Sequence, residues 1–274
     1  MSYTILREFL KRTAEWIRPV RVSAKEISME YTDQIYNEDC IAGMSRIADG
    51  SVDMILTDLP YGITGCRWDS LLPFDKLWAQ YLRVVKSNGA ICLTACQPFT
   101  TRLIASQPKL FRYCWYWCKN MVTGFANAKK MPLRCIEEVC VFYKRLPTYH
   151  PQGIVVLDKP IKRRGKHMPT HGDSVYNMDG GLSHDTQTCV VHYPRQLLEI
   201  KCERGLHPTQ KPVELFAYLI KTYTDPGALV LDSCIGSGTT AVACIQTGRH
   251  YVGFEMDPQH YQTTLNRIQG IQDI

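Results

Sequence analysis

The sequence predicts an α/β fold, in which helices cover both faces of a mostly parallel β-sheet that has an antiparallel edge. Short, continuous apolar runs alternate with stretches of helical periodicity, as expected when strands lie buried between two layers of helices. Two of the apolar runs end in distinctive turns, Asp58-Leu59-Pro60-Tyr61 and Asp232 to Thr240. Because ligands of open α/β sheets bind beyond the carboxyl ends of the strands, both turns are candidates for a functional site.

The composition is that of a globular protein. Of the 274 residues, 45% are hydrophobic and 21% are charged, enough for one large core or two modest ones. We find no apolar run of about 18 residues that would span a membrane and no secretion signal, so we expect a cytoplasmic protein. The 12 cysteines are irregularly spaced and include no Cys-x-x-Cys, so we expect reduced thiols and no metal site.

The predicted elements fall into four segments. In residues 1–32 apolar side chains recur at helical spacing, so we expect a helical appendage that docks on the main domain, with dimerisation or DNA contact as alternatives. Residues 33–145 predict strands at 34–37, 52–57, 90–95, 111–118 and 138–143, and helices at 41–47 and 73–85. Residues 207–274 predict helices at 212–223, 239–247 and from 258 onward, and strands at 229–232 and 250–255.

The remaining segment, residues 146–206, has no lasting periodicity. A passive loop of about sixty residues is unusual, so we expect a binding insertion, with a flexible connector as the alternative. Between residues 144 and 212 there are 11 Lys or Arg and six Asp or Glu residues, which accounts for five of the six net positive charges. Such a basic block favours a polyanionic partner.

The turn that begins at Asp58 offers a carboxylate, a rigid proline and an aromatic ring. This set suits the binding of a planar amine. The alternative is structural, because a carboxylate at the end of a strand often caps a helix.

The turn that follows Asp232 contains Gly236 and Gly238, which let backbone N–H groups approach a ligand. Asp232 itself can meet a cationic amino acid group. Glu255 ends the next predicted strand, where an acid can accept both hydroxyls of a ribose, and the neighbouring Phe254 can pack on an adenine ring. Taken alone, these features also fit a nicotinamide dinucleotide, so an oxidoreductase stays open at this point.

Four motifs together resemble one family. They are the turn at Asp58, His207-Pro208-Thr209-Gln210-Lys211-Pro212, the run from Asp232 to Thr240, and Phe254-Glu255. Over about residues 34–268 the chain resembles the β class of S-adenosylmethionine-dependent DNA amino methyltransferases. The resemblance implies a Rossmann-like methyltransferase fold with a seven-stranded, mostly parallel sheet, helices on both faces, a circularly permuted motif order and a target-recognition insertion. The chain departs from the family pattern at Leu59, where proline is common, and at Ser233-Cys234.

The resemblance also implies roles for individual residues. S-adenosyl-L-methionine would be bound by Asp39, His207, Pro208, Thr209, Gln210, Lys211, Asp232, Cys234, Gly236, Ser237, Gly238, Thr239, Thr240, Phe254 and Glu255. The Asp58 carboxylate and the Leu59 carbonyl would hold the two N–H bonds of an exocyclic amine, with Pro60 fixing that carbonyl and Tyr61 stacking on the base. An amine in a duplex cannot reach such a site, so the base would be flipped out.

Basic side chains are expected to contact the phosphates of double-stranded DNA, which gives affinity without reading the sequence. The candidates are Arg67, Lys129, Lys130, Lys162, Arg163, Arg164 and Lys166. Asp at position 58 favours adenine N6 as the target by family association. An N4-cytosine methyltransferase and an inactive DNA-binding regulator are the alternatives, and a homodimer and a cognate restriction nuclease stay open as partners.

Overall fold

A computed structural model describes residues 31–63, 69–163, 186–203, 205 and 210–272. Its ten strands are β1 (Gln34–Tyr36), β2 (Val52–Asp58), β3 (Val85–Ala95), β4 (Phe111–Thr123), β5 (Arg134–Phe142), β6 (Val155–Arg163), β7 (Thr186–Val191), β8 (Leu197–Glu199), β9 (Leu229–Asp232) and β10 (His250–Phe254). Its α-helices are α1 (Cys40–Gly43), α2 (Phe74–Val84), α3 (Phe99–Ser106), α4 (Val213–Tyr223), α5 (Thr239–Thr247) and α6 (Pro258–Gln272). Short 3₁₀ helices cover Met44–Arg46 and Phe125–Asn127.

The main sheet has eight strands in the order β1-β10-β9-β2-β3-β5-β4-β8. Every neighbouring pair is parallel except the two pairs made by β5, which runs antiparallel to β3 and β4. The predicted fold class is therefore confirmed. The antiparallel strand β5 lies inside the sheet rather than at its edge, because β4 and β8 continue the sheet beyond it. The described sheet has one strand more than the seven expected, because β8 adds to the edge at β4.

The two halves of the chain meet in the middle of this sheet, where β2 lies beside β9. Met54 pairs with Val230 and Ile55 with Leu231. From β2 the sheet continues to β3 on one side, and from β9 to β10 on the other. The strand order reverses between β2 and β9, and a crevice at such a point is where open α/β sheets bind ligands.

Helices cover both faces of the sheet because each carries one apolar stripe. On α2 the buried residues Leu77, Tyr81 and Val84 recur every three or four positions and pack into the core on one face. On α4 the buried Leu215, Phe216 and Leu219 pack with α5 on the other face. Full burial of one such side chain stabilises the fold by about 1.5–3 kcal/mol.

The segment at 146–206 divides into two parts in the structure. Strands β6 and β7 form a separate two-stranded antiparallel sheet. Strand β8 instead joins the main sheet, with Trp117 of β4 opposite Leu198. The Trp117 indole N–H also donates to the Ile200 carbonyl at 2.8 Å. The end of this segment is thus part of the main domain's edge.

Several predicted features lie outside the described residues. They are the helix expected within residues 1–30, Arg67, Arg164, Lys166, and the His207-Pro208-Thr209 part of the second motif. The predicted helix at 41–47 is present as α1 followed by a 3₁₀ turn, and α3 was not predicted. In the described part of the chain we find no helix with the length and hydropathy needed to cross a bilayer.

Candidate active site

A cavity of about 730 Å³ opens at the carboxyl ends of β2, β9 and β10. Both distinctive turns line it, the first with Asp58 to Tyr61 and the second with Asp232 to Ser237. Glu255, at the end of β10, lines it as well. The strand order therefore brings together motifs that are almost two hundred residues apart in sequence. This is the place where the general rule for open sheets puts a ligand, beyond the carboxyl ends of the strands.

Asp58 ends β2 and is held by side chains from three parts of the chain. Its Oδ1 accepts hydrogen bonds from the Tyr61 hydroxyl at 2.8 Å and from the Thr94 hydroxyl on β3. Its Oδ2 accepts one from Lys211 Nζ at 2.6 Å. Among the described residues these partners are all side chains, so the structure does not support the helix-cap alternative for Asp58.

Tyr61 lies against the wall of the cavity. Its ring stacks on Phe99 with the centroids 5.0 Å apart and the planes 27° from parallel. Lys211 Nζ lies 5.5 Å from the same ring's centroid. Burial, and then the nearby carboxylates of Asp58 and Glu137, raise the pKa of Tyr61 well above its usual value. The hydroxyl therefore stays protonated and acts as a donor to Asp58.

Two charged residues that the sequence analysis missed complete this side of the cavity. Lys119 on β4 donates to Glu137 Oε1 on β5 at 2.8 Å, and Lys211 Nζ lies 3.4 Å from Glu137 Oε2. Burial alone would lower the pKa of Lys211, but the carboxylates of Asp58 and Glu137 outweigh it and raise that pKa. Burial would raise the pKa of Glu137, but Lys211 and Lys119 outweigh it and lower that pKa. Lys211 and Glu137 are therefore both charged at neutral pH.

The sequence contains only a weak indication that Lys119 and Glu137 belong to the site. Charged residues inside aromatic strands are unusual, and both Lys119 and Glu137 lie near the cavity end of paired strands. Sequence alone does not say which strands pair, so their contact with Lys211 was not predictable. Lys211 was expected to bind the cofactor, and its ammonium contacts Asp58.

The second turn is stabilised by Asp232, which is 2% exposed. Its Oδ1 accepts the Cys234 N–H at 3.0 Å and its Oδ2 accepts the Thr240 hydroxyl. Burial raises the pKa of Asp232 to about 7, against the opposing effect of these hydrogen bonds. Gly238 has a φ of +81°, and a Cβ there would lie 2.7 Å from Thr264 Cγ2. Glycine is needed at this position for both reasons.

Glu255 fastens the second turn to β10. Its Oε2 accepts the Gly236 N–H at 2.9 Å and its Oε1 accepts the Asp257 N–H at 2.8 Å. A carboxylate offers about four acceptor positions, so two are left for ligand hydroxyls. The Gly236 N–H was expected to approach a ligand directly. In the structure it donates its hydrogen bond to Glu255 instead.

The other expected cofactor residues differ in how they face the cavity. Phe254 lines it, but its ring is fully buried and stacks on Tyr36 at a centroid distance of 5.7 Å. The neighbouring Met256 also lines the cavity and is exposed. Asp39 caps α1 by accepting the Ala42 N–H at 2.9 Å. Also lining the cavity are Gln210, Cys234, Ser237 and Thr239, while the buried Thr240 reaches it only through Asp232.

The predicted DNA-contacting residues lie on the described surface in two places. Lys129 and Lys130 are exposed in the connection between β4 and β5, immediately beyond cavity-lining Thr123 and Arg134. Lys162 is exposed on β6, followed by Arg163 at the end of that strand. Lys129 and Lys130 are close in sequence to residues that line the cavity. Lys162 and Arg163 belong to the separate two-stranded sheet of β6 and β7.

Residues 52–266 match the family model N6_N4_Mtase, described as DNA methylase. The chain belongs to this family. The resemblance inferred from the four motifs is thereby confirmed, and the matched region of this DNA methylase contains the whole described cavity except its contributions from Glu38, Asp39 and Cys40.

Individual relatives agree with the family match. The chain is 24% identical to the type II methyltransferase M.HindIII of Haemophilus influenzae over 307 residues, covering 88% of this chain and 96% of that protein. It is similar to the M1.HpyAVI–SAM complex, with a TM-score of 0.57, 22% identity and coverage of 85% and 98%. It is also similar to the cytosine-N4-specific PvuII DNA methyltransferase, with a TM-score of 0.61, 16% identity and coverage of 88% and 90%. At these identities the two solved structures show the fold.

Proposed function

We propose that this DNA methylase transfers a methyl group from S-adenosyl-L-methionine to an exocyclic amine of a flipped-out base in double-stranded DNA, with adenine N6 as the target. One observation carries the proposal. The Asp58 carboxylate faces a cavity at the switch point of the sheet, and the glycine turn after β9 lines the same cavity. A base amine and a cofactor held by these two turns would therefore meet.

The residues of the second turn fit S-adenosylmethionine. Glu255 keeps acceptor positions for the ribose hydroxyls, and the buried Asp232 lies where a cationic amino acid group would relieve its desolvation. When bound, S-adenosylmethionine supplies an electrophilic methyl group on a sulfonium. Ligand pockets of about 300–1,000 Å³ are typical for small molecules, and the cavity lies within that range.

The first turn can activate the amine. An exocyclic amine is a poor nucleophile because its lone pair is delocalised into the ring. Tyr61 and Thr94 fill both acceptor positions of Asp58 Oδ1, whereas Lys211 takes only one of the two on Oδ2. The free position of Oδ2 and the Leu59 carbonyl would accept the two N–H bonds, leaving the nitrogen lone pair free to face the methyl group.

Positioning is then the main source of rate acceleration. The N–C bond forms as the C–S bond breaks, and the methylated nitrogen afterwards loses one proton to Asp58 or water. Holding the reacting atoms in line and excluding water can supply several kcal/mol without a covalent intermediate. Tyr61, held from behind by Phe99, offers the aromatic surface on which the base would stack.

The choice of adenine N6 rests on Asp58 by family association. Cytosine N4 is the alternative, because the cytosine-N4-specific PvuII methyltransferase has a similar fold. Expression in a host without endogenous DNA methylation, followed by nucleoside mass spectrometry and modification-detecting sequencing, separates the two. N6-methyladenine in one sequence motif is the expected product. N4-methylcytosine would overturn the base assignment, and the absence of any methylated base would overturn the catalytic proposal.

A variant pair tests the role of Asp58 with purified protein. Asp58→Ala removes the acceptor of the amine and should lower tritium transfer to DNA by about 10³-fold, the scale of losing a preorganised electrostatic group. Donor binding, measured by calorimetry, should persist. Asp49→Ala is the matched control, because Asp49 is an exposed aspartate that pairs with Arg83 outside the cavity. Near wild-type transfer by Asp58→Ala would refute the assignment.

A further inference from the structure

We propose that Lys211 is a positioning residue that keeps the Asp58 carboxylate ionised and oriented as an acceptor; this inference rests on the proposed function. The Lys211 side chain is 6% exposed, and its ammonium lies 2.6 Å from Asp58 Oδ2. It comes from the loop before α4, 153 residues from Asp58 in sequence. A buried ammonium at this distance acts chiefly on the carboxylate that it contacts.

An ammonium is needed because the cavity becomes drier when substrate enters. Removal from water favours the neutral form of a carboxyl group. A protonated Asp58 would present an O–H donor to the target amine and could no longer accept its N–H bond. Tyr61 and Thr94 donate hydrogen bonds from neutral hydroxyls to Oδ1, so Lys211 is the cation among the partners that Asp58 has in the described residues.

Glu137 and Lys119 hold the ammonium from the other side. Glu137 Oε2 is buried with no hydrogen-bond partner among the described residues, and it lies 3.4 Å from Lys211 Nζ. Lys119 bonds to the other oxygen of Glu137. The four groups alternate in charge, from Asp58 to Lys211 to Glu137 to Lys119, so the chain of charges is neutral as a whole. This arrangement offsets the cost of burying each charge, which is large for an unpaired ion.

Positioning Asp58 is a different role from the cofactor binding that was expected of Lys211. An ammonium bonded to Asp58 acts on the half of the cavity that would receive the base. The residue should therefore affect turnover and its pH dependence more than the affinity for the methyl donor. The backbone of Lys211 makes a separate contact, because its carbonyl accepts the Thr239 hydroxyl at 3.2 Å. Substitution of the side chain leaves that contact in place.

The pH dependence of turnover is the decisive readout. The titratable groups that surround Asp58 from its own turn, the loop before α4, β5, β9 and the end of β3 are Tyr61, Lys211, Glu137, Asp232 and Cys96. Burial raises the pKa of Asp232 to about 7, and the charge of Asp58 adds to this increase, so Asp232 contributes to every profile. Only a difference between variants therefore reports on Asp58.

Lys211→Gln removes the positive neighbour of Asp58. We expect kcat to fall by about 100-fold through misplacement of the acceptor, while donor affinity measured by calorimetry changes by less than about threefold. The acidic limb of the kcat profile should move up by about one to two pH units, the effect of an opposite charge at this distance. Lys211→Arg keeps the positive charge, so its acidic limb should lie close to that of the wild type. Lys76→Gln, an exposed lysine on α2, is the control.

Glu137→Gln removes a negative neighbour instead, so the acidic limb should move to lower pH. Opposite shifts in the two variants would not arise from a merely structural defect, and thermal melting of each variant shows that it is folded. If Lys211→Gln fails to fold, the shift in Glu137→Gln still tests the inference. The inference would be overturned if the acidic limbs of both variants stayed where the wild type has them. It would also be overturned if weaker donor binding explained the loss of activity in Lys211→Gln. That result would leave the Asp58→Ala outcome, and with it the proposed function, unaffected.

Discussion

Gly238 offers a prediction whose size follows from two separate features of the structure. Its φ of +81° lies in the left-handed region, and a Cβ at this position would come within 2.7 Å of Thr264 Cγ2. Gly238→Ala would cost about 1–2 kcal/mol for the backbone conformation. Moving the Thr264 side chain off its rotamer would add about 1 kcal/mol. We therefore expect a loss of about 2–3 kcal/mol in the free energy of unfolding.

Gly248→Ala is the matched control for this variant. Gly248 has a φ of +68° but no heavy atom within 4 Å of its added Cβ, so only the backbone cost applies. Urea unfolding of both variants should show Gly238→Ala to be the less stable by about 1 kcal/mol. The methyl donor should also bind more weakly to Gly238→Ala alone, because the shifted turn carries Ser237 and Gly236. Equal stability and equal donor affinity of the two variants would refute the reasoning.

Two further predictions concern pH and salt. The pKa of Asp232 is raised by burial to about 7, above its unfolded value, so this group destabilises the fold progressively as pH rises from about 4 to 7. Asp232→Asn should therefore gain stability over the wild type at pH 7.5 but little at pH 4, measured by urea unfolding; a pH-independent difference would contradict this. Replacing Lys129 and Lys130 together by alanine should reduce the slope of log K against log salt for DNA binding by about 2, with donor binding unchanged. An unaltered slope would show that neither residue contacts phosphate.

Most of the main sheet was predictable because its strands are continuous apolar runs. Residues 52–57 and 229–232 carry that signal, and each is followed by a turn whose residues point to chemistry. Strand β8 was not predictable, because its three residues are too few to show a period. The helix α3 was missed as well, since its buried Phe99, Thr100 and Leu103 give only a short apolar pattern.

The catalytic turn and the glycine turn were predictable as separate motifs, but the contacts between them were not. Thr94 reaches Asp58 because the two residues are register partners in β2 and β3, and register is not written in either strand alone. Lys211 contacts both Asp58 and Glu137, and the sheet order that places those two carboxylates near each other is not readable from the sequence. Phe254 is expected to contact the cofactor, and that stays a prediction; the burial of its ring beside Tyr36 could not be read from the sequence.

The adjacency of β2 and β9 has a consequence for synthesis of the protein. Among the described strands β1 pairs with β10 alone, and β2 loses one of its two partners when β9 is missing. A nascent chain that has been synthesised only as far as β7 thus presents an open, apolar edge at Met54 and Ile55, of the kind that recruits other strands. That edge is covered only after residues 229–232 have been synthesised, so slow elongation or termination before this point should produce aggregates rather than a partly active protein.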